Sequence, residues 1–224
     1  MVKMNKAKLQ LGILGCLCFG AGDWLLGYVN TGSVGEGVFY FLQQGHGVEY
    51  DLNRILLVLM LAAAGCFALY PGLMEISKVA SGDRQRGRLS YLFAMQFGGY
   101  IMLHFIVAFH VLAYSAVMKV CHEEEALAIC ALLNDAVNPA FMLSYVLIYG
   151  SLVYLFFLVL LGKTPLPKKA VLLTPLVPMG VLCVLAGILP QGPFAYGLFT
   201  FCINFGMIVW FLYLLFRCDI FDVR

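Results

Sequence analysis

The chain has 224 residues, of which 62% are apolar and 12% charged, with a mean hydropathy of +0.92 and a formal net charge of +2. Soluble domains carry about 25% charged residues, so this composition excludes an ordinary soluble fold and predicts a polytopic membrane protein. The small net charge gives no footing for a nucleic-acid partner, and Walker, Rossmann, zinc CxxC and HExxH patterns are all absent.

Six apolar stretches follow one another, at 9–28, 55–74, 91–118, 138–161, 170–189 and 194–216. The first matches a bilayer core of about 30 Å at about 1.5 Å per residue. On it Gly12, Cys16, Gly20, Asp23 and Gly27 share one narrow stripe, which predicts close approach of a neighbouring helix. Asp23 lies on that stripe and is expected to face the protein interior, since an ionisable group inside a membrane is paired, protonated or functional. Lys3, Lys6 and Lys8 before this run, with Gly20-Ala21-Gly22 within it, also resemble a signal peptide. Apolar character resumes at Trp24, so an uncleaved anchor is expected.

The segment 29–54 is glycine-rich and acidic, with an apolar island over 38–42 too short to span. In the second stretch Ala64 and Ala68 have small-xxx-small spacing, and Glu75 has Lys78 as a local partner. The turn 82–88 is rich in arginine and suits anionic lipid headgroups. The third stretch places Gln96, Tyr100, His104, Val107, Val111 and Tyr114 on one face, with His110 on another. A short amphipathic helix is expected over 126–133, ending at Asn134-Asp135 before Pro139. In the fourth stretch Asn138, Met142, Tyr145 and Tyr149 form a stripe. The fifth contains Pro175 and Pro178, which predict either a late start near Pro175 or a kink. The sixth carries Gly197, Thr200 and Asn204 on one face.

Alternate connecting segments hold twelve and two Lys or Arg residues, so the positive-inside rule places both termini in the cytoplasm. That topology puts Asp23, His104, Tyr145 and Thr200 at a common depth of roughly 10 Å below the outer edge. Cys121 and Cys130 are the one cysteine pair in an extracytoplasmic segment and are expected to form a disulfide, provided that the chain turns before a helix beginning at 123–125.

The run Gly22-Asp23-Trp24-Leu25-Leu26-Gly27-Tyr28 resembles the signature of an uncharacterised family of bacterial six-span membrane proteins. The resemblance covers most of the chain by length and span count. It implies a bacterial cytoplasmic membrane and a role for Asp23, but no reaction, cofactor or ligand.

The sequence thus predicts an all-α, single-domain bundle of six transmembrane helices over 1–224. The expected function is binding or passage of a small amphipathic or lipid-like molecule in an outward-facing cavity lined by Asp23, Tyr100, His104, Tyr145, Tyr149, Thr200 and Asn204. One alternative is an intramembrane enzyme of the metal-dependent hydrolase type, using Asp23 and His104 with His110 as a third candidate ligand. Another is an accessory subunit whose glycine stripe packs against a partner protein.

Overall fold

The computed structural model describes residues 3–28 and 51–218. The apolar island over 38–42 and His46 lie outside the described residues. Among those described, every regular element is helical: α1 Lys6–Gly27, α2 Leu52–Ile76, α3 Asp83–Val120, α4 Glu123–Leu160, α5 Leu176–Ile188 and α6 Pro193–Phe216, with 3-10 turns at Ser77–Val79 and Lys168–Leu173.

Five helical segments are long and apolar enough to cross a membrane: Lys6–Gly27, Leu52–Val79, Asp83–Val117, Asp135–Leu160 and Pro193–Phe216. In place of one helix over 170–189 there is a six-residue 3-10 turn, a break at Thr174-Pro175, and the 13-residue α5. The late start, and not the kink, is the outcome of the proline pair: Pro175 caps the helix and Pro178 falls in its first turn, where a missing N–H costs least. The short amphipathic helix expected before Pro139 has no separate end. It runs unbroken into the fourth stretch as α4, 38 residues long with Pro139 inside it.

The local ends follow from polar side chains. Asn5 caps α1 by accepting from the Lys8 N–H at 3.3 Å, and Asp51 caps α2 by accepting from Asn53 N–H at 3.3 Å. The buried Glu75 accepts from the Asn5 N–H at 2.6 Å and from Lys78 Nζ at 2.7 Å, so the expected local pair also holds the start of α1. Gly82, at φ +96°, makes the turn into α3. Ser81 N–H donates to the Lys163 carbonyl at 2.8 Å, which fastens the α2–α3 turn to the end of α4.

At the centre α1 lies antiparallel between α2 and α6. A Cβ on Gly72 would sit 2.5 Å from Gly12 Cα, and one on Gly15 would sit 2.5 Å from the Leu69 backbone nitrogen, so α1 and α2 touch backbone to backbone. On its other side Phe211, Phe201 and Thr200 of α6 cover Gly12, Gly20 and Gly27. The small-residue contact of α2 runs through Ala62, Gly65, Leu69 and Gly72; Ala64 is exposed. The reason is the partner: Phe19 of α1 needs the room at Gly65. The stripe expected on α3 is buried throughout. On α4 the inward face is Phe141, Ser144, Ile148 and Leu152, whereas Asn138 and Met142 are exposed. Close approach at Gly99 to the Ser144 carbonyl fixes that rotation. Deeper still, Ser151 Oγ lies 2.5 Å from Gln96 Oε1 and 2.8 Å from the Ile148 carbonyl, and Gln96 Nε2 reaches Met207 Sδ at 3.9 Å.

The outer surface of the helices is apolar. Phe67 is 85% exposed and Met60, Val146, Val184 and Ile188 are likewise uncovered, a pattern suited to lipid contact and foreign to a soluble monomer. These helices are compatible with a multi-pass membrane protein.

Candidate functional site

Four helices bring the predicted polar residues together. Asp23 occupies the α1 stripe where its glycine neighbours let α6 come close. Its Oδ2 accepts from Asn204 Nδ2 at 2.7 Å, and its backbone carbonyl accepts from Thr200 Oγ1 at 3.0 Å. Its Oδ1 lies 3.1 Å from His104 Nε2 of α3, an ion-pair distance that is not aligned with the ring nitrogen's hydrogen-bond direction. The other ring nitrogen, Nδ1, lies 2.8 Å from the Tyr100 carbonyl one turn back. The His104 side chain is 2% exposed and that of Asp23 is 19% exposed.

Aromatic rings hold this group in place. Phe19 packs on Tyr100 and His104, with centroids 5.1 and 4.3 Å away, and Tyr100 and His104 stack with planes 6° apart. From α4, Tyr145 stacks on Tyr149 at 5.8 Å and meets Phe141 edge-on at 4.8 Å. The hydroxyls of Tyr100 and Tyr145 both lie within electrostatic reach of Asp23, and Tyr149 within reach of each of them. Thr200, Asn204 and His104 thus contact Asp23, with Tyr100 and Tyr145 within its electrostatic reach and Tyr149 beside those two tyrosines. Two buried polar atoms among them, Tyr100 Oη and Asn204 Oδ1, have no hydrogen-bond partner among the described residues.

The metal set does not assemble. Asp23 and His104 meet, but His110 is turned to another face of α3, and among the described residues no group of three His, Cys, Asp or Glu side chains is placed to hold a metal ion. A straight α3 keeps residues six positions apart on different faces. Of the two cysteines expected to pair, Cys121 and Cys130, each is a free thiol in this structure. The chain does turn at 121–122 and α4 does start at Glu123, yet Cys130 is buried on the inward side of α4 while Cys121 ends α3 half-buried. Burial, with the neighbouring Cys121 adding to it, raises the Cys130 pKa.

Sequence reasoning missed Arg54. Its guanidinium donates to the Leu25 and Tyr28 carbonyls, the latter at 2.7 Å, and so caps the end of α1 beside Asp23. Its being the one cation in 29–54 was the available signal. Cys202 was also missed; it lies within electrostatic reach of Asp23 and Tyr100.

No curated protein and no solved structure matches the chain. One family does match, over residues 1–219, and its description is "Family of unknown function (DUF6796)". The chain belongs to that family.

Proposed function

We propose that this protein is a single-domain, six-span integral membrane protein of a bacterial cytoplasmic membrane, with both termini in the cytoplasm, that binds or passes a small amphipathic or lipid-like molecule at the Asp23 site. The observation that carries the reading is the pair of buried, unpartnered atoms, Tyr100 Oη and Asn204 Oδ1, set beside a carboxylate and an imidazole within aromatic walls. A buried polar atom without a partner costs about 1–3 kcal/mol, and a ligand with a polar head satisfies both atoms while its apolar part rests on Phe19 and its neighbours. The fifth crossing is assigned to the 3-10 turn Lys168–Leu173 followed by α5. Together they rise roughly 30 Å, and they join the end of α4, tied to the α2–α3 turn, to the start of α6 near Trp24. Lys78, Lys163 and the arginines of the α2–α3 turn gather at that same end, which supports its assignment to the cytoplasm.

Less supports the two alternatives: among the described residues no third ligand joins Asp23 and His104, and the glycine stripe packs against α2 and α6. Native mass spectrometry of protein released from lipid nanodiscs tests the proposal. A bound small-molecule adduct is expected on the wild type and lost in Asn204→Leu. A wild-type protein that carries no adduct from any lipid composition overturns it.

A further inference from the structure

The two nitrogens of His104 face different acceptors, and this fixes how many protons the site holds. The Tyr100 carbonyl has only lone pairs, so the nitrogen 2.8 Å from it, Nδ1, must carry a hydrogen. In a neutral imidazole Nε2 then has a lone pair, and the group nearest to it is Asp23 Oδ1 at 3.1 Å. A lone pair set against an ionised carboxylate in a buried site is repulsive. One added proton removes the conflict, either on Nε2, which gives an imidazolium beside a carboxylate, or on Oδ1, which gives a carboxylic acid beside a neutral ring.

We propose that Asp23 and His104 form a single-proton binding site within the membrane, in which the pair holds one proton, on Oδ1 or on Nε2, while Nδ1 stays protonated throughout. The inference does not depend on the identity or existence of the amphipathic ligand. The surroundings suit one proton and no more. The titratable groups within electrostatic reach of Asp23 are Tyr100 on α3, Tyr145 on α4 and Cys202 on α6, with Cys16, Tyr149, Cys183 and Tyr196 next to those. All are neutral as thiols or phenols. The Arg54 guanidinium of α2 is engaged on the Leu25 and Tyr28 carbonyls. With the proton bound, the pair is neutral as a unit. Its loss leaves a net charge of −1 on the pair. Asn204 Nδ2 holds the second carboxylate oxygen, Oδ2, which leaves Oδ1 to turn toward the ring.

Nitrogen-15 solid-state NMR of histidine-labelled protein in lipid bilayers, recorded between about pH 5 and 9, reads this directly, with His104→Gln assigning the resonance. The expected result is that His104 shows only the doubly protonated or the Nδ1-protonated ring, and that Asp23→Asn abolishes the doubly protonated form at neutral pH. A neutral His104 protonated on Nε2 and bare on Nδ1 overturns the proposal, since the ring would then be a fixed donor to a permanent carboxylate. Should His104→Gln not fold, His46→Gln, His110→Gln and His122→Gln assign the His104 resonance by elimination.

Discussion

Asp23 and Asn204 are 181 positions apart in the chain and 2.7 Å apart in the fold, with the amide of the last helix donating to the carboxylate of the first. His104 meets the same carboxylate from α3, so a single side chain links three helices. Asp23→Asn keeps the shape and one acceptor, and is expected to cost about 1 kcal/mol. Asp23→Leu leaves the His104 ring and the Asn204 amide facing an alkyl group, and is expected to cost about 3 kcal/mol. Thermal unfolding in one detergent, compared across the two variants, checks the order. Equal losses would show that the carboxylate holds nothing together.

The contact between α1 and α2 has a sharper geometric requirement. Gly72→Ala places a methyl 2.5 Å from Gly12 Cα and 3.0 Å from both the Gly12 nitrogen and the Phe211 ring, so backbone would have to move. Overpacking of this kind costs about 1–3 kcal/mol. Gly150, on α4, has nothing within 4 Å of a Cβ, so Gly150→Ala is expected to stabilise by about 0.5–1 kcal/mol through helix propensity. The same unfolding assay should move in opposite directions for the two changes.

Arg54 neutralises the exposed carbonyls at the end of α1. Arg54→Gln should raise amide hydrogen exchange in the last turn of α1 and lower stability by about 1–2 kcal/mol, with the amino-terminal half of α1 unaffected. Uniform exchange along α1 would show that the cap does not act locally.

The thiols offer a simple count. Denatured without reductant and alkylated, the protein should take up eight labels, one for each cysteine. In the folded protein Cys130 should react late, because burial and the neighbouring Cys121 both raise its pKa and withhold the thiolate. Six labels in the denatured sample would restore a bridge.

Orientation follows from impermeant labelling of single cysteines in a background freed of the native ones. Glu124→Cys should label in intact cells and Arg84→Cys only after permeabilisation. The reverse pattern would invert the proposed topology.

Much of the site was legible because its residues obey helical spacing. The α1 stripe, the buried face of α3 and the Gly197–Thr200–Asn204 face of α6 each follow from 100° steps, and all three point inward. The fourth stretch failed because polarity misled: Asn138 and Met142 suggested a face, but the helix is turned by the close approach of Gly99 to Ser144, a contact set by the partner and invisible in either helix alone. In the fifth, residues 170–173 belong to a 3-10 turn and the helix takes the late start near Pro175. Pro139 misled in the other direction, because helical residues on both sides carry α4 past it.

The distance along the chain between Asp23 and its partners has a consequence for synthesis. At about 5–20 residues per second, the ribosome reaches Asn204 roughly 10–40 s after it has made Asp23. Through that interval the first helix carries a carboxylate without its amide partner, and Thr200 is equally late for the Asp23 carbonyl. His104, made less than halfway through that wait, gives the carboxylate its first partner. A chain interrupted before α6 would still display Asp23 and the bare glycine face of α1 to the bilayer, marking it as unfinished for any membrane protease that recognises polar groups or loose helices.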